Sequence, residues 1–364
     1  MHNIVYMCLT VFIVAILFVY SITPLVIKLA HRTNFYDRPA ARKLHKKATP
    51  LLGGVAVFSG FLILMIYVIF IGLHSLSISI IGYILGSLLI VLVGVIDDRH
   101  GMKPWLKLTG QIVSCLIFIA SNKLFTLFGP FYLTLPILFF WMVGLMNALN
   151  FLDNMDGIIT GMSGILALGF YAFSFISKTN LLAQEANYIS ILSLIFAGAV
   201  FGFLPYNFNP AKIFLGDAGS LFIGYFLSTM GILAGRLAVI GKGSNLYFLY
   251  PVLLLSFAIF DISLVSITRK RDGRKISQGG KDHSTHRIGT AIGSPKITAL
   301  IVYLINIIIV LVTIIVFIMD SDKLLIISVI IFGCFFLFFA RKLDEVPIVI
   351  PENQIRKNKG NDKG

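Results

Sequence analysis

Apolar runs of about 18 or more residues recur along the whole of this chain. Each is long enough to cross a hydrocarbon core roughly 30 Å thick. Eleven such spans are expected, at approximately 3–23, 51–72, 77–96, 107–121, 131–149, 157–177, 187–204, 216–235, 245–267, 297–318 and 323–340. Only 13% of the 364 residues are charged, where a soluble domain carries about 25%. The spans leave no room for a separate soluble domain, so residues 1–340 read as one transmembrane domain. Residues 341–364 read as a polar tail, expected to be disordered because they are Lys- and Asn-rich with little to bury. The first run lacks a basic n-region and a small-residue cleavage site, which makes it a retained helix and not a secretory leader.

A formal charge of +14 invites a nucleic-acid reading. The placement of the charge argues for a membrane instead. When Lys and Arg are sorted by alternating loops, 25 of the 30 fall on one side, leaving Lys123, Lys178, Arg236, Lys242 and Lys323 on the other. The positive-inside rule then places the N-terminus outside and the C-terminus in the cytoplasm. Cys8, Cys115 and Cys334 all lie inside apolar runs without metal-ligand spacing, which argues against disulfide or zinc chemistry.

Of sixteen acidic residues, six lie at the ends or insides of apolar runs on the cytoplasmic side: Asp97, Asp98, Asp153, Asp156, Asp217 and Asp261. Carboxylates near hydrocarbon are costly and suggest function by default. Asp97 and Asp98 repel each other at a helix C-terminus, an end that disfavours anions. A solvated helix end is the bland reading; a cation site or a protonic step explains the pair better. In Asn147 through Gly157, a helical course would place Asn150, Asp153 and Asp156 on one face at three-residue steps. Carboxylate and amide oxygens suit Mg²⁺. Phe214-Leu-Gly216-Asp217-Ala-Gly219-Ser220 opens the eighth run, where glycines admit close approach and a helix N-terminus offers free N–H groups to phosphate. The loop from Arg269 to Arg287 is strongly basic. It serves either anionic-lipid attraction or phosphate binding, the latter through Lys281, His283, His286 and Arg287. Asp261 is either functional or an internal partner for an Arg or Lys. Together, clustered acids for a divalent metal and a basic loop for phosphates suggest a cytosolic polyphosphate compound and a phosphorylated lipid as substrates.

At this point the chain resembles the polyprenyl-phosphate N-acetylhexosamine-1-phosphate transferases. The resemblance covers roughly residues 40–290. His45 through Gly54 is similar to the family's first loop, Asp97-Asp98 to its paired aspartates, and Asn147 through Gly157 to its Asn-and-Asp loop. Phe214 through Ser220 is similar to its Gly-Asp-x-Gly-Ser loop, Asp261 to Arg269 to its Asp…Arg element, and Lys281 through Arg287 to its histidine loop. All six motifs occur in the family's order.

The resemblance implies that a UDP-activated amino sugar donates its sugar-1-phosphate to a polyprenyl phosphate, releasing UMP. It implies Mg²⁺, with Mn²⁺ as a substitute, held by Asn150 and Asp217. Phe214 would stack on uracil, and Asp153 and Asp156 would line the nucleotide pocket. His283, His286 and Arg287 would hold the pyrophosphate, His286 among the catalytic groups. Asp97 and Asp98 would face the lipid phosphate. Lys47, Lys281 and Asp261 are further substrate-binding candidates. Expected partners are a UDP-N-acetylhexosamine, a polyprenyl phosphate, the membrane and at most a second copy of the chain, with no nucleic acid. The muramoyl-pentapeptide branch carries three consecutive histidines where this chain has Asp-His-Ser-Thr-His-Arg. That departure and eleven spans favour the N-acetylglucosamine branch, which starts teichoic acids, O-antigens and related polymers. A transporter or flippase is the rival of another class, but no internal repeat is visible and the acids gather at one face.

Overall fold

Each long apolar run forms a helix, and local chemistry sets many of the ends. The structure, a computed structural model, describes residues 2–37, 48–72, 76–177, 183–275 and 280–347. The long helices are α1 (His2–Arg32), α2 (Gly53–Phe70), α3 (Ile78–His100), α4 (Pro104–Ser121), α5 (Phe131–Leu152), α6 (Ile158–Ile176), α7 (Ala183–Asn207) and α8 (Gly216–Lys242). There follow a 3-10 turn (Asn245–Phe248), α9 (Leu249–Leu254), α10 (Ser256–Arg271), α11 (Ser284–Ile292), α12 (Pro295–Ile318) and α13 (Asp322–Asp344). Side chains of Ser77, Ser294 and Ser321 accept the N–H three residues on and start α3, α12 and α13. Pro104 and Pro295 open α4 and α12, where a missing N–H costs nothing. A short antiparallel ribbon pairs β1 (Tyr36–Asp37) with β2 (Thr49–Pro50) after α1.

Among the described residues, ten helices are long and apolar enough to cross a bilayer. An eleventh span exists if the pair Asn245–Leu254 and Ser256–Arg271 is taken as one, so the all-α, roughly eleven-span architecture stands. The ninth span is not the continuous helix expected over 245–267: its halves meet at 73°. The 268–296 segment, read as a loop, contains α11. α1 runs on to Arg32, and α13 reaches Asp344, past the expected boundary at 340. Hydropathy finds where hydrocarbon is crossed, but a helix continues beyond it while its backbone bonds remain favourable. Residues 348–364 of the expected tail lie outside the described residues.

α8 is the central element and contacts α2, α3, α5, α6 and α7. Most of α8 is buried, whereas α13 lies at the periphery. Without a hydrophobic driving force between helices in lipid, close packing must hold such a bundle, and small residues permit it. A Cβ on Gly54 would fall 2.1 Å from the Gly219 nitrogen, one on Gly94 2.3 Å from the Ala218 Cα, and one on Gly224 2.5 Å from the Met146 Cα. Three glycines thus press α2, α3 and α5 backbone-to-backbone against α8, two of them at its first turn. Deeper in the bundle, Phe196 and Phe226 stack with ring centres 3.7 Å apart. Gly94→Ala should destabilise the protein by about 3 kcal/mol, the upper end of overpacking costs, because the obstacle is backbone. Gly144→Ala, with no atom within 4 Å of the added Cβ, should be harmless. Melting temperatures of the two variants in detergent check this.

Candidate active site

The packing of α3 and α5 on the start of α8 gathers the polar residues. The first N–H groups of a helix have no partner inside it, and Leu215, which precedes α8, supplies no side-chain cap. Asp98, reaching from α3, does so instead. Its two carboxylate oxygens accept the Asp217 and Ala218 N–H groups at 2.9 and 3.1 Å. A carboxylate that looked misplaced at the C-terminus of α3 is therefore at the favourable, positive end of α8. This differs from the expectation that Asp98 faces a lipid phosphate. Both of its oxygens are engaged by backbone, which makes it a positioning residue for Asp217.

Asp97 points the other way. Its Oδ1 accepts the Met102 N–H at 2.6 Å, which closes the tight turn between α3 and α4. That turn brings Lys107, in the first turn of α4, back beside the acids. The Lys107 ammonium lies 2.8 Å from Asp97 Oδ2, 2.7 Å from Asp217 Oδ2 and 3.3 Å from Asn150 Oδ1. The Asn150 amide nitrogen donates to Asp217 Oδ1 and to the Ser220 hydroxyl, both at 2.8 Å. One helical turn deeper, Gln111 and Asn147 exchange amide hydrogen bonds and fix α4 to α5.

Three oxygens from three helices thus converge on one cation. Among the described residues no three of His, Cys, Asp and Glu are grouped to hold a metal; here the third donor is the Asn150 amide. Hard carboxylate and amide oxygens are the donor chemistry of Mg²⁺ and Mn²⁺. The set fits such an ion, with Asp97 joining the expected Asn150 and Asp217. Lys107 was not among the sequence-based candidates. Gly101 and Pro104 were the signal that the chain reverses and returns a cation to the acid pair.

The Asn-and-Asp loop is not the helical face expected. α5 ends at Leu152 and Asp153 caps it, so Asp153 and Asp156 sit in a turn. Burial pushes the Asp153 carboxyl up to about 8, and the charges of Asp217 and Asp156 add to the effect. Asp156 Oδ2 accepts from the Asn209 amide at 2.9 Å and the Ala211 N–H at 3.0 Å, tying this turn to the segment before α8. Phe214 lies in that segment and is partly exposed. Its N–H donates to the Pro50 carbonyl at 2.8 Å, and its carbonyl accepts from Gly53 at 2.9 Å. Lys47 lies outside the described residues.

The histidine loop is an ordered helix held from below by buried charge. Asp261 Oδ1 accepts the Ser284 N–H at 2.8 Å and its hydroxyl at 2.5 Å. Asp261 Oδ2 is 2.8 Å from His283 Nδ1. Asp261 therefore caps α11 from α10, as Asp98 caps α8 from α3, and its partner is a histidine where a lysine or arginine was the alternative. His283 Nε2 lies 3.5 Å from the Arg269 guanidinium, which only donates. Arg269 grips both Asp282 oxygens at 2.8 and 2.9 Å and Arg274 adds a bond at 2.8 Å. Asp282 is fully buried, yet these arginines hold its carboxyl at about 2.

Arg287 is not turned toward a pyrophosphate. It is 1% exposed. Its guanidinium donates to the Asp282 and Leu343 carbonyls, Asp344 and the Thr268 hydroxyl at 2.9–3.1 Å. The expected grip on phosphate thus becomes a clamp between α11, α10 and the end of α13. His283 is likewise buried in the network. His286 and Lys281 remain partly exposed. The Thr285 hydroxyl donates to Asn154 at 2.8 Å and docks α11 on the turn that carries Asp153 and Asp156.

Burial pushes His286 down to about 4, with the charges of His283 and Lys281 adding. At pH 7 its ring is neutral and offers one directed N–H. Folding favours that neutral form, so stability should fall as pH drops from about 6.5, the free value, toward 4. His286→Ala should flatten that loss. Melting temperatures of both proteins at pH 7 and pH 5 check it.

The fold and this cluster define a class: a polytopic helical membrane protein with an oxygen-lined cation site and a histidine helix gathered at helix ends. Residues 80–235 match the model of Glycosyl transferase family 4. The chain is 31% identical over 305 residues to the probable undecaprenyl-phosphate N-acetylglucosaminyl 1-phosphate transferase of Bacillus subtilis, covering 81% of each chain. It is 29% identical over 325 residues to the decaprenyl-phosphate N-acetylglucosaminephosphotransferase of Mycobacterium tuberculosis, covering 80% of this chain and 78% of that one. It is also 29% identical over 287 residues to the phospho-N-acetylmuramoyl-pentapeptide-transferase of Staphylococcus epidermidis, covering 71% and 85%. The chain belongs to glycosyl transferase family 4.

Proposed function

We propose that this chain transfers N-acetylglucosamine-1-phosphate, or a closely related hexosamine phosphate, from its UDP-sugar to undecaprenyl phosphate and releases UMP. The observation that carries the reading is the convergence of Asp97, Asn150 and Asp217 oxygens on one cation, beside a histidine helix, in a member of this family. An oxygen of the lipid phosphate attacks the sugar-bearing phosphorus. The bond from that phosphorus to the UMP oxygen breaks, and a new pyrophosphate joins sugar and lipid. A phosphate monoester has a second pKa near 6 and is mostly dianionic at pH 7. No residue need remove a proton, which suits an Asp97 engaged with a cation and an Asp98 engaged with backbone.

The difficulty is bringing anions together. Bound Mg²⁺, or Mn²⁺ in its place, would neutralise pyrophosphate charge and align the in-line displacement. Asp97, Asn150 and Asp217 would hold it. Lys281 and the neutral His286 would offer N–H groups to the phosphates, and Phe214 an aromatic face to uracil. Asp153, Asp156 and the first-loop Lys47 complete the nucleotide side of this reading. The bias of 25 of 30 basic residues to one side of the spans supports a site that faces the cytoplasm.

The test is purified protein with undecaprenyl phosphate and a panel of UDP-sugars, with UMP release followed and the lipid product identified by mass spectrometry. UDP-N-acetylglucosamine should be the best donor. UDP-N-acetylmuramoyl-pentapeptide as the sole donor would move the chain to the muramoyl branch, and no UMP from any donor would favour the transporter reading.

A further inference from the structure

A lysine at the centre of an acid cluster is unusual if the cluster's task is to hold a metal. The Lys107 ammonium is within 3.3 Å of one oxygen each from Asp97, Asp217 and Asn150. These are the donors assigned above to a divalent cation. One ammonium and one metal ion cannot both occupy the space between them. We propose that Lys107 is an internal placeholder: its ammonium holds Asp97, Asn150 and Asp217 in their binding arrangement, and a divalent cation binds only by displacing it. The inference rests on the metal-dependent reading proposed above.

First, two carboxylates brought together at the edge of hydrocarbon repel and are poorly solvated, so without a cation they would separate or recruit protons. The ammonium offsets this. The side chains of Lys107 and Asp97 are only 16% and 13% exposed, so water contributes little to that task. Second, the lysine can withdraw through its own side chain, with no helix displaced. Lys107 sits in the first turn of α4 on a flexible four-carbon stem, beside exposed Lys103 and Trp105. Asp217, 33% exposed, keeps one member of the cluster within reach of solvent. Third, the helices that carry the donors are fixed independently. Asp98 clamps the start of α8, Gly94 seats α3 on it, and the Gln111–Asn147 pair joins α4 to α5. The site therefore keeps its shape while only the lysine moves. The consequence is that Lys107 lowers the apparent metal affinity by the fraction of time it occupies the donors.

The experiment is Mn²⁺ binding to the purified full chain in detergent, without nucleotide or lipid, read from the electron paramagnetic resonance signal of free Mn²⁺. Wild type, Lys107→Met, the exposed neighbour Lys103→Met and Asp217→Asn are compared. Lys107→Met should bind Mn²⁺ at least about tenfold more tightly than wild type, Lys103→Met should match wild type, and Asp217→Asn should lose the site. Melting temperature gives a second readout. In EDTA, Lys107→Met should melt below wild type, and added Mg²⁺ should raise it by more than it raises wild type. Equal or weaker Mn²⁺ binding by Lys107→Met, with binding retained in wild type, would overturn the placeholder alone. Absence of an Asp217-dependent Mn²⁺ site in both proteins would overturn the placeholder and the metal-dependent reading together.

Discussion

Asp217→Asn should lower turnover at least about a thousandfold, roughly 4 kcal/mol of transition-state stabilisation, while the protein still inserts and folds. Asp217 is the residue on which the cluster turns. One oxygen accepts the Asn150 amide, the other takes the Lys107 ammonium, and its own N–H is held by Asp98. The amide replacement keeps the shape, the backbone clamp and one acceptor. It removes the negative charge that a divalent ion needs. Asn150 and Asp97 remain, but one carboxylate and one amide hold Mg²⁺ far less well than a set with a second carboxylate. UMP release and melting temperature, measured on the same preparation, check the prediction. Near-normal turnover in a folded Asp217→Asn protein would remove Asp217 from the metal site.

The spans, the family and the identity of the acids were legible in the sequence because each leaves a local mark. Hydrocarbon length marks the helices, and a carboxylate beside an apolar run stands out against its surroundings. What was not legible was the direction in which each side chain points. Asp98 and Asp261 stood out as costly acids and read as functional, yet each caps the N-terminus of a helix far away in sequence: 119 residues separate Asp98 from Asp217. Nothing in the segment around Asp98 announces that α8 lacks a cap of its own. Arg287 was selected because it adjoins two histidines, but its partners include the end of α13, 56 residues on. Lys107 carries no such mark, being one basic residue among the 25 on its side of the spans. The break in the ninth span also escaped hydropathy, because both arms are apolar enough to pass as one run.

Arg287 therefore separates two physical pictures of the histidine loop. As a phosphate ligand it would be replaceable at a cost in rate alone. As the clamp observed, it holds the loop itself: its guanidinium joins the Asp282 carbonyl at the start of α11, Thr268 near the end of α10, and Leu343 and Asp344 at the end of α13. Arg287→Ala leaves those acceptors without their donor in a buried place, where an unmet polar group costs about 1–3 kcal/mol. The variant should lose about 3 kcal/mol of stability and at least about tenfold in turnover, the second through displacement of His286. Asp344→Asn, which touches no proposed substrate, should share part of both losses, because Arg271 and Arg287 both bind that carboxylate. His286→Ala should lose turnover without melting earlier at pH 7, and exposed Lys275→Ala should lose neither. Turnover and melting temperature are measured for all four at two salt concentrations. A melting temperature unchanged in Arg287→Ala, with turnover lost and Asp344→Asn fully active, would return Arg287 to the pyrophosphate. Equal, salt-sensitive losses of turnover in Arg287→Ala, His286→Ala and Lys275→Ala would reduce the whole loop to a basic patch at the membrane surface.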